Sequence, residues 1–239
     1  SVYNRPPLKT KPNPRLVPAV ALITLCRVHG VNNPVCPEKQ YEKWIIREWG
    51  KRVPEVYYRG YWFNLADPGL PFFMLSRIAM EVPTGKKLGI AGWRVEAPYD
   101  WAGSCPSRYL AMKLMWDVDT DVQALLDEFY TKFFGPAAAP MKRYIETMDT
   151  ARRDADFHTG SSWDTPKIYD ENVRAVARDA FRQATKLAPK DSMYAKRVQV
   201  YREAWEYFEA FAEMLESRAV HDYVTSKKAL DRMDALREK

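Results

Sequence analysis

The sequence predicts an α/β chain whose strands are all spent early. Residues 1–116 read as a β-α-β-α-β-α series and residues 117–239 as a helical C-terminal region packing on it. Two observations carry this. Three apolar or aromatic runs of strand length are separated by stretches of helical periodicity, which suits neighbouring parallel strands joined by right-handed crossovers. After Asp117 the strand signals stop and long apolar stripes at helical spacing take over.

Residues 1–15 are polar and proline-punctuated, an extended entry. Leu16 to Cys26 is a near-continuous apolar run, as expected of a strand buried on both faces, and Arg27 and His29 follow it. Pro37 opens a helix with Tyr41, Trp44, Ile45 and Trp49 on its apolar face, stopped by Gly50. Glu55 to Phe63, with its alternating aromatics, is the second strand. A turn-rich loop over 64–71 leads to a helix from Phe72 that Pro83 and Gly85 are expected to end.

The third strand, from Gly89, places Ile90, Gly92, Arg94 and Glu96 on one side and Ala91, Trp93 and Val95 on the other. Pro98 stops it, and Pro106 with Ser107 starts the next helix. In the second half, Thr120 and Gln123 form a capping box for a helix that Gly135 closes. Met141 to Met148 mark the next helix. Asp170 caps a helix running to Leu187, Pro189 breaks it, and Asp191 caps another through Tyr201, Trp205, Phe208, Phe211 and Leu215. The charged last turns are expected to fray.

With 239 residues, 46% of them hydrophobic, the chain can bury a substantial core. Its net charge of +6 comes from interleaved lysines and arginines without an aromatic-laced basic patch, which argues against nucleic acid as a partner. No apolar run is long enough to span a membrane and no signal peptide is present. The start at Ser1 suggests that an upstream segment was removed or never included. The three cysteines match no zinc spacing, and no metal or cofactor is expected. Cys26 reads as a buried thiol, while Cys36 and Cys105 fall in loops at one end of the sheet and are candidates for a bridge.

The chemistry is expected at the C-terminal ends of the strands, where α/β folds place ligand groups. Those ends bring together Arg27 and His29, then Arg59, Tyr61, Trp62 and Asn64, then Arg94, Glu96, Tyr99, Asp100 and Trp101. A carboxylate beside arginines stays ionised, which suits Glu96 to act as a base, nucleophile or ligand group rather than an acid. The structural alternative is an Arg–Glu pair closing the sheet end. Trp62 and Trp101, near loops, are candidates to stack on a ring, whereas Trp93 reads as core. His158 and His221 have no partner motif.

Four stretches carry a family resemblance: the apolar run ending in Arg27, the strand from Val56 to Tyr61, the strand from Gly89 to Glu96, and Tyr109 to Asp117. Together with Leu126 to Tyr130, Phe134 to Ala138 and Met141 to Tyr144, they resemble the bacterial DUF4838 family, over roughly residues 16–150. That family is similar to α-glucuronidase-type glycoside hydrolases. The resemblance implies that the three strands are the C-terminal portion of a (β/α)8 TIM-type barrel, and that five preceding strands are missing from this sequence.

It further implies part of a glycoside hydrolase acting on carbohydrate, with uronic-acid glycans as a candidate substrate and a secreted or periplasmic location. Glu96 would be one catalytic carboxylate, and the other would be Asp100 or Asp67 or, in preference to either, a residue of the absent part of the barrel. Arg27, His29, Arg59, Tyr61, Trp62, Asn64, Arg94, Tyr99 and Trp101 would bind substrate. Alone, this chain would be inactive. Two rival readings are a non-catalytic carbohydrate-binding protein and a helical interaction module, the latter recognisable by an exposed apolar patch on the Tyr201–Leu215 helix.

Overall fold

Three short strands make a parallel sheet in the order β1 (Ala19–Ala21), β2 (Val56–Gly60), β3 (Ile90–Val95), each joined to the next through a helix. The computed structural model describes residues 5–23, 26–65, 67–96 and 101–238. Helices α1 (Pro37–Gly50) and α2 (Leu75–Lys87) are the crossovers, and α3 (Cys105–Trp116) follows β3. The second half contains α4 (Val122–Phe134), α5 (Ala138–Arg153), a single turn α6 (Thr165–Ile168), α7 (Glu171–Leu187), α8 (Met193–Ala219) and α9 (Tyr223–Arg237). The mixed α/β class and the switch to helices are as the sequence predicts.

The sheet covers one face with helices. Val20, Val56, Tyr58 and Ile90 are buried against Ile45 and Ile46 of α1, and Trp93 packs on Tyr58 and Trp62 at ring distances of 5.0 and 5.4 Å. The opposite face carries Ala19, Ala21, Tyr57, Arg59, Gly92 and Arg94, of which Ala19, Tyr57 and Arg94 are exposed. Ile90 lies on the helix side, not beside Gly92 and Arg94. The register shift at Val56/Tyr57 leaves Ala91 unmatched, and one extra residue reverses the alternation before it.

β1 is shorter than the apolar run suggested. Pro18 cannot donate to the ladder and contributes only its carbonyl, which accepts from Tyr57 N at 2.8 Å. Leu16 and Val17 are consequently exposed. Helix α2, in turn, continues through Pro83 and Gly85 to Lys87. Proline removes one backbone hydrogen bond without stopping the turns that follow. Gly85 is there for close approach: a Cβ on it would lie 2.5 Å from the Trp93 ring and 2.9 Å from Ile90 Cδ1.

A continuous core joins the two halves across residues 116 and 117. Phe73 of the loop before α2 meets Tyr144 of α5 at 5.6 Å, and Tyr144 meets Trp205 of α8 at 5.8 Å. Tyr201, Trp205, Phe208 and Phe211 are all buried in it, so the α8 stripe is spent internally and does not form the exposed patch an interaction module would need. Gly135 closes α4 with φ 53°, as expected, beneath the Tyr194 ring.

The caps of two helices sit one residue from their predicted places. Asp121 caps α4 by accepting from Ala124 N at 3.0 Å, and Thr120 instead donates to the Asp117 carbonyl. Ser192 caps α8 in place of Asp191, which takes a left-handed backbone with φ 61°. Asp170 caps α7 as predicted. The C-terminal residues form a packed helix rather than fraying: Ala229 and Met233 of α9 are buried, and Ser226 Oγ donates to the Met214 carbonyl of α8 at 3.0 Å. Asp67, in the loop after β2, accepts from Tyr207 of α8 and from Arg237 of α9.

Gly85→Ala is expected to destabilise the protein by about 1–3 kcal/mol in urea unfolding, because overpacking under Trp93 outweighs the better helix propensity of alanine. A stability equal to wild type or higher would show that Trp93 and Ile90 yield at no cost.

Candidate functional site

Arg27, Arg59, Tyr61 and Glu96 gather where the strands end. Arg59 is the penultimate residue of β2 and pairs with Glu96, whose backbone N–H extends the ladder by donating to the Gly60 carbonyl at 3.2 Å. Both side chains keep about a third of their surface open, at 34% and 33%. The Tyr61 ring lies between two cations, with the guanidinium carbons of Arg59 and Arg27 at 5.5 and 5.8 Å from its centroid. Burial, and then the nearby Arg77, lowers the Arg27 guanidinium to about 10, and it remains charged at neutral pH. The Nε donors of Arg27 and Arg59 find no hydrogen-bond partner among the described residues. The site offers positive charge, directional donors and an aromatic ring beside one carboxylate.

Beneath the sheet lies a buried ionic network. Lys39 and Glu42 of α1 pair at 2.7 Å, and Glu42 also accepts from Tyr58 of β2. On α2, Arg77 pairs with Glu81 at 2.6 Å. Glu81 in turn accepts from Trp62 Nε1 at 3.3 Å and from Val31 N at 3.2 Å. Burial pushes the Glu42 carboxyl up, but Lys39 and Arg77 outweigh it and hold it below the ordinary carboxylate range. Burial likewise opposes the charge on Arg77, and Glu81 and Glu42 more than restore it.

A second cluster lies in the loop between β1 and α1. Cys26, His29 and Cys36 are buried there, and the exposed His158 reaches them from the segment after α5. The four donor atoms all lie within 4.8 Å of one another, with Cys26 Sγ 3.4 Å from His29 Nδ1. The two imidazole rings meet edge to face at 4.6 Å, and Arg27 N donates to the Thr159 carbonyl at 2.7 Å, fixing the two segments together. Burial, and then His158, lowers the His29 imidazole below its ordinary value. Among the described residues all three cysteines are free thiols, so Cys36 is not bridged to Cys105. Cys105 lies at the start of α3 with its thiol against Tyr201, and burial there pushes it up to about 11.

The predicted site residues therefore divide. Arg27, Arg59, Tyr61 and Glu96 come together. Arg94 stands exposed on the open sheet face, and Trp101 is exposed in the turn before α3. Trp62 is not available to stack on a ligand, because it turns into the core to meet Trp93 and Glu81. Asn64 is also buried, binding Thr165 Oγ1 at 3.2 Å. His29 faces the thiols. Tyr99 and Asp100 lie outside the described residues. Asp67, the alternative second carboxylate, is engaged by Tyr207 and Arg237. Sequence reasoning missed Lys39, Glu42, Arg77 and Glu81, which no motif marks out, and the part of His158, which is far from its neighbours in the chain.

What fold and site define is an α/β protein with a charged, aromatic site at the end of a parallel sheet. The chain belongs to the DUF4838 family, described as a domain of unknown function, which matches residues 1–147. No curated protein and no solved structure matches it.

Glu42→Gln is expected to cost about 3–5 kcal/mol at neutral pH, since it strands buried Lys39. The stability that Glu42 contributes is present above its unfolded-state value and is lost as pH falls through its depressed folded value. The gap between wild type and variant should therefore narrow on acidification in chemical denaturation. A gap that stays constant with pH would show that Glu42 is not held ionised by its neighbours.

Proposed function

We propose that this chain carries one wall of a carbohydrate-active site of glycoside-hydrolase type, directed at glycans that contain uronic acid. The observation that carries the reading is the run of contacts from Arg27 to Tyr61, Tyr61 to Arg59 and Arg59 to Glu96 at the C-terminal end of the parallel strands. Arginines present planar donor pairs that match a carboxylate, and a sugar ring packs against an aromatic edge. Glu96, paired with Arg59, suits the role of base or nucleophile in acid–base hydrolysis of a glycosidic bond.

The sheet itself fits the wall of a (β/α)8 barrel. Its strands are parallel and ordered β1-β2-β3, with α1 and α2 packed on one face only. The other face, with small residues at Ala19, Ala21 and Gly92 and polar ones at Arg59 and Arg94, is the side a barrel would turn inward. In such a barrel the general acid would come from another strand, and this wall would supply substrate contacts and one carboxylate.

A non-catalytic carbohydrate-binding protein is the second reading, favoured by one observation: Glu96 is already neutralised by its pair with Arg59. Calorimetry with glucuronide oligosaccharides, beside a hydrolysis assay on the full-length protein, separates the two. Hydrolysis should fall by at least about 100-fold in Glu96→Gln with the fold intact. Arg59→Ala should weaken binding by about 10-fold or more. Binding without turnover in the wild type points to the second reading. Unchanged hydrolysis and affinity in both variants would refute a carbohydrate site here.

A further inference from the structure

The thiol and imidazole cluster between β1 and α1 is not used by the site at the sheet end. We infer that Cys26, His29, Cys36 and His158 form a closed, four-ligand structural zinc site that fastens the strand region to the helical region. Four observations support it independently of any function of the sheet end.

The donor set is the first. Two sulfurs and two imidazole nitrogens in a tetrahedral site are the combination that selects zinc among the common divalent ions. Zinc bonds of about 2.0–2.3 Å put neighbouring ligand atoms roughly 3.3–3.8 Å apart. Cys26 Sγ and His29 Nδ1 already stand at 3.4 Å, and no pair of the four donors exceeds 4.8 Å. Small side-chain rotations close the remainder.

The second is the outer hydrogen bonding. Zinc-bound histidines characteristically donate their other N–H to a carbonyl or carboxylate, which fixes the ring. His29 turns Nδ1 to Cys26 and hydrogen-bonds the backbone of Ala155. Cys36 is the N-cap residue of α1, at the positive end of the helix, as suits a thiolate.

Third, the ligands come from three separate stretches of the chain that meet at one point. Cys26 and His29 lie in the loop after β1, Cys36 begins α1, and His158 follows α5. A disulfide between Cys26 and Cys36 would leave the convergence of two imidazoles on the same point unexplained. Fourth, the charges balance. Metal binding releases both thiol protons to solvent, and a zinc ion with two thiolates and two neutral imidazoles carries no net charge, which suits a site where three of the four ligands are buried. All four positions on the metal are filled by protein, so the ion has no open position for substrate and its role is to hold the fold.

The test uses the full chain, purified under reducing conditions, dialysed against zinc and analysed by elemental mass spectrometry. About one equivalent of zinc per chain is expected. Cobalt substitution should give the intense absorption of a tetrahedral ion together with thiolate charge-transfer bands. Chelation should lower Tm. Because His158 is exposed, His158→Ala is expected to fold and still weaken zinc affinity by more than about 100-fold. Cys36→Ala should lose the charge-transfer bands in part, with far-UV circular dichroism checking the fold. Cys105→Ala, outside the cluster, should bind zinc as wild type does. Reduced protein that takes up no stoichiometric zinc would overturn the proposal. So would a Cys26–Cys36 disulfide in protein isolated from its native source, or zinc affinity unchanged in His158→Ala.

Discussion

Everything around the sheet end depends on keeping four charges, three buried and one partly buried, satisfied beneath it. Lys39, Glu42, Arg77 and Glu81 lie between α1, α2 and β2, and none tolerates isolation in that setting. Each pair lies within one helix, Lys39–Glu42 on α1 and Arg77–Glu81 on α2, and Arg77 also acts electrostatically on Glu42, so the four form one network. It also recruits three groups that are not charged: Tyr58 from β2, Trp62 after it, and the amide of Val31 in the loop after β1. The network is therefore what turns Trp62 into the core and what holds the Cys26–Cys36 loop on the sheet. Buried ion pairs add little net stability compared with apolar packing, but they punish any arrangement that separates them. Here the bonds from Tyr58 to Glu42 and from Trp62 and Val31 to Glu81 tie each helix to the strand region.

That placement explains how two dissimilar polar clusters come to be neighbours. Arg27 belongs to both: its guanidinium stacks on Tyr61 at the sheet end, while its backbone binds Thr159 beside the histidines. The Arg77 guanidinium reaches the Arg27 carbonyl at 3.3 Å and links this segment to the ionic network. The site that gathers around Glu96 therefore rests on a support built from buried polar contacts, whereas the helical half rests on aromatic packing through Tyr144, Trp205 and Phe208.

The elements legible from the sequence were those decided locally. Helical stripes, the caps at Asp170 and Gly135, the alternation of β2 and the parallel order of the strands all follow from residue type at fixed spacing. Two kinds of feature were hidden. The first depends on competition between neighbours of equal merit, as where Asp121 and Ser192 cap in place of Thr120 and Asp191, or where the unmatched Ala91 reverses the facing of Ile90. The second depends on distant parts of the chain. Glu81 looks solvated until Trp62 and Val31 arrive, Trp62 looks free until Trp93 covers it, and His158 looks idle until the Cys26 loop folds against it. Arg27, Arg59, Tyr61 and Glu96 were readable because parallel strands deliver their last residues to one edge whatever the rest of the molecule does.

Asp67 has a wider reach than its single carboxylate suggests. It sits in the loop that follows β2, yet it accepts from Tyr207 in the middle of α8 and from Arg237 in the last turn of α9. The Arg237 guanidinium also lies over the Tyr207 ring at 5.2 Å, so three separated stretches close into one small knot. The final helical turn thus works as a latch on the loop leading away from the sheet. Mechanical or chemical disturbance at the C-terminal end is transmitted to the strand region by a path far shorter than the chain between them.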